Sequence, residues 1–201
     1  MNTNKVGLAG HSMGARTAQL IIGEQGLLGT TKRDTRIRAA VVMSPSSPSL
    51  QSADSAFCLV TTPCLLLTGT RESVPFLSDQ STDTRRAVFP ALPSGNAYEL
   101  VLHDATHTAF NDKSREYETP HNPKHHQAIK VITAAFWDAY LQSSKEAKTC
   151  LRGLGKNRAR ATGHLADKIK SELMSTVAHE NISRLYLQPA LLPNLLQTAW
   201  R

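Results

Sequence analysis

The chain has 201 residues, 40% of them hydrophobic and 19% charged, which suits one domain with a buried core and excludes wholesale disorder. No stretch approaches about 18 uninterrupted apolar residues, and the opening MNTNKVGLAGHSMG has no basic segment leading into an apolar one, so neither a membrane span nor a signal peptide is read. The net charge of +7 is uneven: residues 1–142 carry 13 basic against 12 acidic side chains, residues 143–201 carry 10 against 4, and no aromatic interrupts the basic run Arg152–Arg160, which argues against nucleic-acid binding.

Four short apolar runs read as strands: Lys5–Ala9, Ala39–Met43, Cys64–Leu67 and Tyr98–Leu102. Each is nearly continuous rather than alternating and each ends in Gly, Ser, Thr or Asp, the texture of parallel strands covered on both faces. Between the first two, Met13–Glu24 has apolar residues at helical spacing. Ser44–Ser55, with six serines and two prolines, reads as a surface loop on the strand-end face. After the fourth strand, Asn122 can cap a long helix with Pro123 in its first turn, and Ala128, Val131, Ile132, Ala135, Phe136 and Leu141 recur at helical spacing. The order of elements predicts an α/β parallel sheet with flanking helices. Beyond Gln142 the pattern decays, with a helix predicted over Ala166–Val177 and the apolar stretch Leu185–Leu196 broken by Pro189 and Pro193. The three cysteines, Cys58, Cys64 and Cys150, are too few and too irregular for a disulfide framework or a zinc site, although a Cys58–Cys64 bridge stays open.

The first strand runs into Gly10-His11-Ser12-Met13-Gly14, a G-x-S-x-G pentapeptide with a helix directly behind it. That context is what the motif's chemistry requires: a sharp strand-to-helix turn holds the serine strained with its hydroxyl exposed. Small flanking residues let the turn close, and the Met13 N–H falls at the positive end of the helix, where it can donate to an oxyanion. A nucleophilic serine needs a base and an acid that orients the base, expected on loops after later strands in the order Ser, Asp/Glu, His. Glu72 stands just past the third strand, in TGTRESVP, and His107 follows the fourth, in HDATHTAF. His107 is preferred over His103, which sits at the strand end itself. Glu72 competes with Asp79, a few residues farther on, and with Asp104, which is close to His107 in sequence. His121, His125 and His126 flank a helix start without an H-E-x-x-H pattern or an acidic neighbour, so solvated histidines are the expectation and no metal is called for.

The segments VGLAGHSMGARTAQ, TTPCLLLTGTRESVP and LHDATHTAF together resemble the C-terminal half of an α/β-hydrolase, in particular bacterial serine esterases of the dienelactone-hydrolase, acetylhydrolase and cutinase-like group. The resemblance covers about residues 5–142. It implies Ser12 as nucleophile, Glu72 as orienting acid, His107 as general base and the Met13 N–H as one oxyanion donor. It further implies a small-molecule or polymer ester as substrate, with no metal or organic cofactor. Dienelactone hydrolases proper use a cysteine nucleophile, so the serine points to the esterase and acetylhydrolase relatives, many of which carry Asp where Glu72 stands. Family members have several strands before the elbow, whereas this chain starts almost on it. The expectation is therefore a partial α/β-hydrolase fold lacking the N-terminal strands: a truncated hydrolase domain over 1–144 and a basic C-terminal extension over 145–201, partly helical or disordered. An edge left exposed by missing strands would favour self-association. The contrasting expectation is a non-catalytic fragment that acts, if at all, through protein interaction.

Overall fold

A computed structural model describes residues 5–72, 81–111, 122–155 and 160–161. Strands β1 (Val6–His11), β2 (Ile37–Met43), β3 (Cys64–Gly69) and β4 (Ala97–Leu102) form a parallel sheet in sequential order, and the two-residue β5 (Arg160–Ala161) pairs in parallel with the far side of β4. The chain is an α/β protein with helices on both faces of that sheet, as its strand texture predicts.

The continuous apolar strands follow from this layering. In β2, Ala39 and Val41 point into one core while Ala40 and Val42 point into the other, and in β3 Leu65 and Leu67 part company with Cys64 and Leu66 in the same way. Successive side chains must face opposite ways along a strand, so two covered faces leave no position for a polar residue. One core is closed by α1 (Met13–Ile22), α2 (Ala53–Phe57) and α4 (Val88–Ala91), through Ala18, Ile22, Phe57 and Val88. The other is closed by α5 (Pro123–Leu141), through Ile132, Phe136 and Ala139, and by α6 (Lys145–Gly155), through Leu151. The short α3 (Thr82–Arg86) precedes α4.

Local chemistry sets the helix ends. The Asn122 side chain accepts from the Lys124 N–H, with Pro123 in the first turn of α5. Helix α1 stops at Ile22, two residues short of the predicted end, because Gly23 adopts φ +116° and its N–H bonds back into the last turn. The expected loop after β2 differs in two ways. It contains α2, capped by Ser52, which is too short to show a helical period. Its first residues, Ser44 and Pro45, are buried rather than at the surface. The segment after Gln142 holds a helix earlier than predicted: α6 places Ala147, Cys150 and Leu151 on one face, and Leu151 is fully buried in the α5 core. Ala166–Val177 and Leu185–Leu196 lie outside the described residues. Cys58, Cys64 and Cys150 are free thiols. No described helix is long and apolar enough to cross a membrane.

The strand register then decides where chemistry can gather. His11 pairs with Met43, Met43 with Leu67 and Gly69 with Leu102, so the residues that follow β1, β2, β3 and β4 emerge along one edge of the sheet.

Candidate active site

At that edge β1 gives way to α1 within one residue. Ser12 takes φ 56° and ψ −113°, a conformation that costs a non-glycine residue about 1–3 kcal/mol and persists only when its surroundings impose it. Here they do: the Ser12 N–H donates to the Met43 carbonyl at 3.1 Å and its own carbonyl accepts from the Arg16 N–H at 3.0 Å. The two glycines of the motif are not equivalent. A Cβ on Gly10 would stand 2.2 Å from the Gly14 carbonyl oxygen, whereas one on Gly14 would meet nothing within 4 Å. The expectation that both flanking residues must be small therefore holds for Gly10 alone. Met13 is the first residue of α1, so its N–H has no carbonyl partner within the helix, and its side chain is 75% exposed.

The Ser12 hydroxyl lies 2.9 Å from Nε2 of His107. His107 opens a short 3-10 turn, His107–Phe110, beyond β4. Its carbonyl accepts a 3.0 Å hydrogen bond from Nε2 of His11, and the two imidazoles approach to 4.8 Å between ring centres, with the Phe110 ring 5.5 Å from that of His11. His11 thus ties the loop carrying His107 to the strand carrying Ser12. Burial, then the positive charge of Arg85 and then His11, hold the His107 imidazole down to about 4, so at neutral pH its ring is uncharged and can accept a proton.

Glu72 completes the group. It is fully buried, three residues past β3, and each of its oxygens is engaged. Oε1 accepts from the Ser44 hydroxyl. Oε2 accepts from the Thr68 hydroxyl at 2.7 Å and sits 3.2 Å from Nε of Arg85. Oε1 is also the atom nearest His107, 3.9 Å from Nδ1, which has no hydrogen-bond partner among the described residues. Burial pushes the Glu72 carboxyl up from its usual range, while the two hydroxyls and the Arg85 charge pull it back. Arg85 is 1% exposed on α3 and donates to the carbonyls of Ser44 at 2.9 Å and Pro45 at 3.2 Å.

Of the residues singled out from sequence, Ser12, Met13, Glu72 and His107 therefore lie together. His103 and Asp104 do not: they pair with each other at 3.3 Å, with side chains 60% and 63% exposed. Asp79 and His121 lie outside the described residues. His125 faces the Asn122 amide at 3.5 Å and His126 the Ala109 carbonyl at 3.1 Å. Among the described residues no three His, Cys, Asp or Glu side chains converge as a metal site would need. His11, Ser44, Thr68 and Arg85 were not anticipated. Ser44 and Thr68 each carried a sequence signal, as the first residue past a predicted apolar strand.

Ser12 opens on a cleft of about 470 Å³, floored by the start of α1 and walled by Gln25–Leu27 and Ser46–Gln51. Met13, Leu27 and Leu50 present exposed apolar side chains to it. Arg16 reaches across its base to the buried Glu24.

No protein-family model and no curated protein matches this chain. Among solved structures it is similar to "Thermogutta terrifontis esterase 2 phosphorylated by paraoxon", at 14% identity and a TM-score of 0.49, over 67% of this chain and 54% of that one. The chain thus spans about half the length of that esterase.

Proposed function

We propose that this chain is a serine carboxylester hydrolase of the α/β-hydrolase type, with Ser12 as nucleophile, His107 as base, Glu72 as the acid that orients the base, and the Met13 N–H as an oxyanion donor. The observation that carries the reading is the 2.9 Å contact between the Ser12 hydroxyl and Nε2 of His107, made by a serine held at φ 56° on a strand-to-helix turn. A glycine-softened turn without a reaction to perform has no reason to strain a serine toward an uncharged imidazole.

The steps follow from the atoms. The Ser12 Oγ attacks an ester carbonyl as its proton passes to Nε2 of His107, and the imidazolium that forms carries its other proton on Nδ1, facing Glu72 Oε1. The 3.9 Å separation there is longer than a hydrogen bond, and such contacts commonly tighten once substrate is bound. The oxyanion lies against the Met13 N–H at the helix start. His107 then returns the proton to the departing alcohol, and water repeats the sequence on the acyl-serine to release the acid. A small-molecule or polymer ester would enter through the open cleft. The chemistry calls for no metal or organic cofactor. Purified protein should hydrolyse p-nitrophenyl acetate and butyrate, and Ser12→Ala should reduce turnover to background while leaving the elution volume on size exclusion unchanged. Equal rates in the two folded proteins would refute the proposal.

One observation favours a second reading. Among the described residues β1 pairs only with β2, so its other edge offers unpaired backbone groups along a strand with Val6 exposed. A non-catalytic interaction protein that associates with itself through that edge would elute as a dimer and lack any rate that depends on Ser12.

A further inference from the structure

Glu72 has a closer charged partner than His107. Its Oε2 is 3.2 Å from Arg85, whereas its Oε1 is 3.9 Å from Nδ1 of His107. A fully buried arginine is expensive to desolvate and is retained only where its donors are satisfied. Nη1 of Arg85 donates to the carbonyls of Ser44 and Pro45, and its Nε lies 3.2 Å from the Glu72 carboxylate, so each of these contacts borders the site. Ser44 is the residue whose hydroxyl donates to Glu72 Oε1, and it sits at φ 57°, so one guanidinium braces both the carboxylate and the strained residue that holds the other carboxylate oxygen. Thr68 and Arg85 occupy Oε2, which leaves Oε1 as the edge turned to His107.

We infer that Arg85 is a positioning residue for the Glu72–His107 pair: it fixes which carboxylate oxygen faces the imidazole and takes up part of the carboxylate's charge. This rests on the esterase reading above and adds a residue that the Ser-His-acid pattern does not contain. Among the described residues the charge-bearing groups around the His107 ring are Glu72 beyond β3, Arg85 on α3 and His11 on β1, and His126 on α5 reaches the same turn at the Ala109 carbonyl. Arg85 opposes protonation of His107 directly, and by sharing Glu72 it also weakens the attraction that would favour protonation.

The test follows the imidazole signals of His107 by NMR across a pH titration, beside steady-state rates. In Arg85→Gln the guanidinium charge is gone, and the His107 midpoint should rise by about one pH unit or more. A folded Arg85→Gln protein whose His107 midpoint is unmoved would overturn the proposal, because a purely structural arginine changes stability without changing that titration. If Arg85→Gln does not fold, Arg85→Lys carries the test. A lysine keeps the charge but cannot span the carboxylate and two carbonyls at once, so kcat should fall about 10- to 100-fold with KM little changed. Wild-type kcat in Arg85→Lys would overturn the inference. The titration reads Arg85 whether or not the chain turns over ester, and the Ser12→Ala comparison reads the esterase proposal by itself, so the two fail separately.

Discussion

The two ends of the candidate site are built by different means. At the β1 end, backbone does the work: a glycine with no room for a Cβ, a serine at φ 56° and a helix that starts on the next residue bring a half-buried serine to the cleft. At the β3 end, side chains do it: a fully buried carboxylate is held by two hydroxyls and a buried guanidinium, none of them near it in sequence except Thr68. His107 bridges the two, touching the first at 2.9 Å and standing off from the second at 3.9 Å. Backbone devices leave a compact trace in sequence because they depend on adjacent residues. Buried charge networks leave almost none.

The largest effect should come from breaking the side-chain end. Glu72→Ala removes the carboxylate that faces the buried Arg85 guanidinium, at a cost of about 3–5 kcal/mol. Urea denaturation should show that loss together with loss of ester turnover. Glu72→Ala with Arg85→Met removes both charges and should recover much of the stability without recovering the rate. Recovery of turnover in the double variant would mean that His107 needs no carboxylate here.

The same contrast explains what was legible beforehand. The strands were readable because both faces are covered, so that Ala39 to Val42 are all apolar whichever core they enter. Ser12, Glu72 and His107 were readable as candidates because residues past the strand ends of a parallel sheet gather along one edge, and the register does align those ends. Arg85 was not, because a charged residue in a five-residue helix looks solvated until the fold buries it. The Ser44–Ser55 loop read as surface for a related reason: composition does not reveal that Ser44 turns inward to a carboxylate 28 residues away. Helix α6 was hidden because the residues described as anchoring it, Ala147, Cys150 and Leu151, are few and stand amid lysines.

At the backbone end the expected break is somewhat smaller and sharply asymmetric. Gly10→Ala forces a Cβ to within 2.2 Å of the Gly14 carbonyl oxygen, so the turn must open at a cost of about 3 kcal/mol, and the Ser12 hydroxyl must leave His107. Gly14→Ala meets open space in a helix and should stabilise by about 0.5–1 kcal/mol. Thermal denaturation of the two variants decides the matter. Equal losses would mean that the second glycine serves something other than packing in this chain.

A pH series sharpens the bridge between the ends. The folded chain protonates His107 only near 4, against 6.5 when the group is unperturbed. Between those values the unfolded chain binds the extra proton and the folded chain does not, so stability falls as pH drops through that window. His11 and His125 are lowered as well and add slopes of the same sign. His107→Gln should therefore flatten the decline without abolishing it. In the unaltered chain the acid limb of kcat/KM should lie near pH 4, since that limb reports the free base. An acid limb near 6.5 would place a water-exposed imidazole at the site and remove the role given to burial and Arg85.

The smallest effect should come from the other arginine that meets a buried carboxylate. Arg16 reaches Glu24 from the base of the cleft, but its side chain is 35% exposed where Arg85 is 1%. Burial pushes Glu24 up and Arg16 pulls it back, with the Gln19 amide also within 3.4 Å. Losing Arg16 leaves Glu24 free to take a proton and lets water into the cleft in place of the guanidinium, so Arg16→Met should cost only about 1 kcal/mol after allowance for solvent screening. The loss should shrink further at low pH, where Glu24 is neutral in either protein. A penalty as large as that of Glu72→Ala would mean that a partly exposed partner matters as much as a buried one. A small penalty leaves the Arg85 pair as the one whose burial sets the stability of the site.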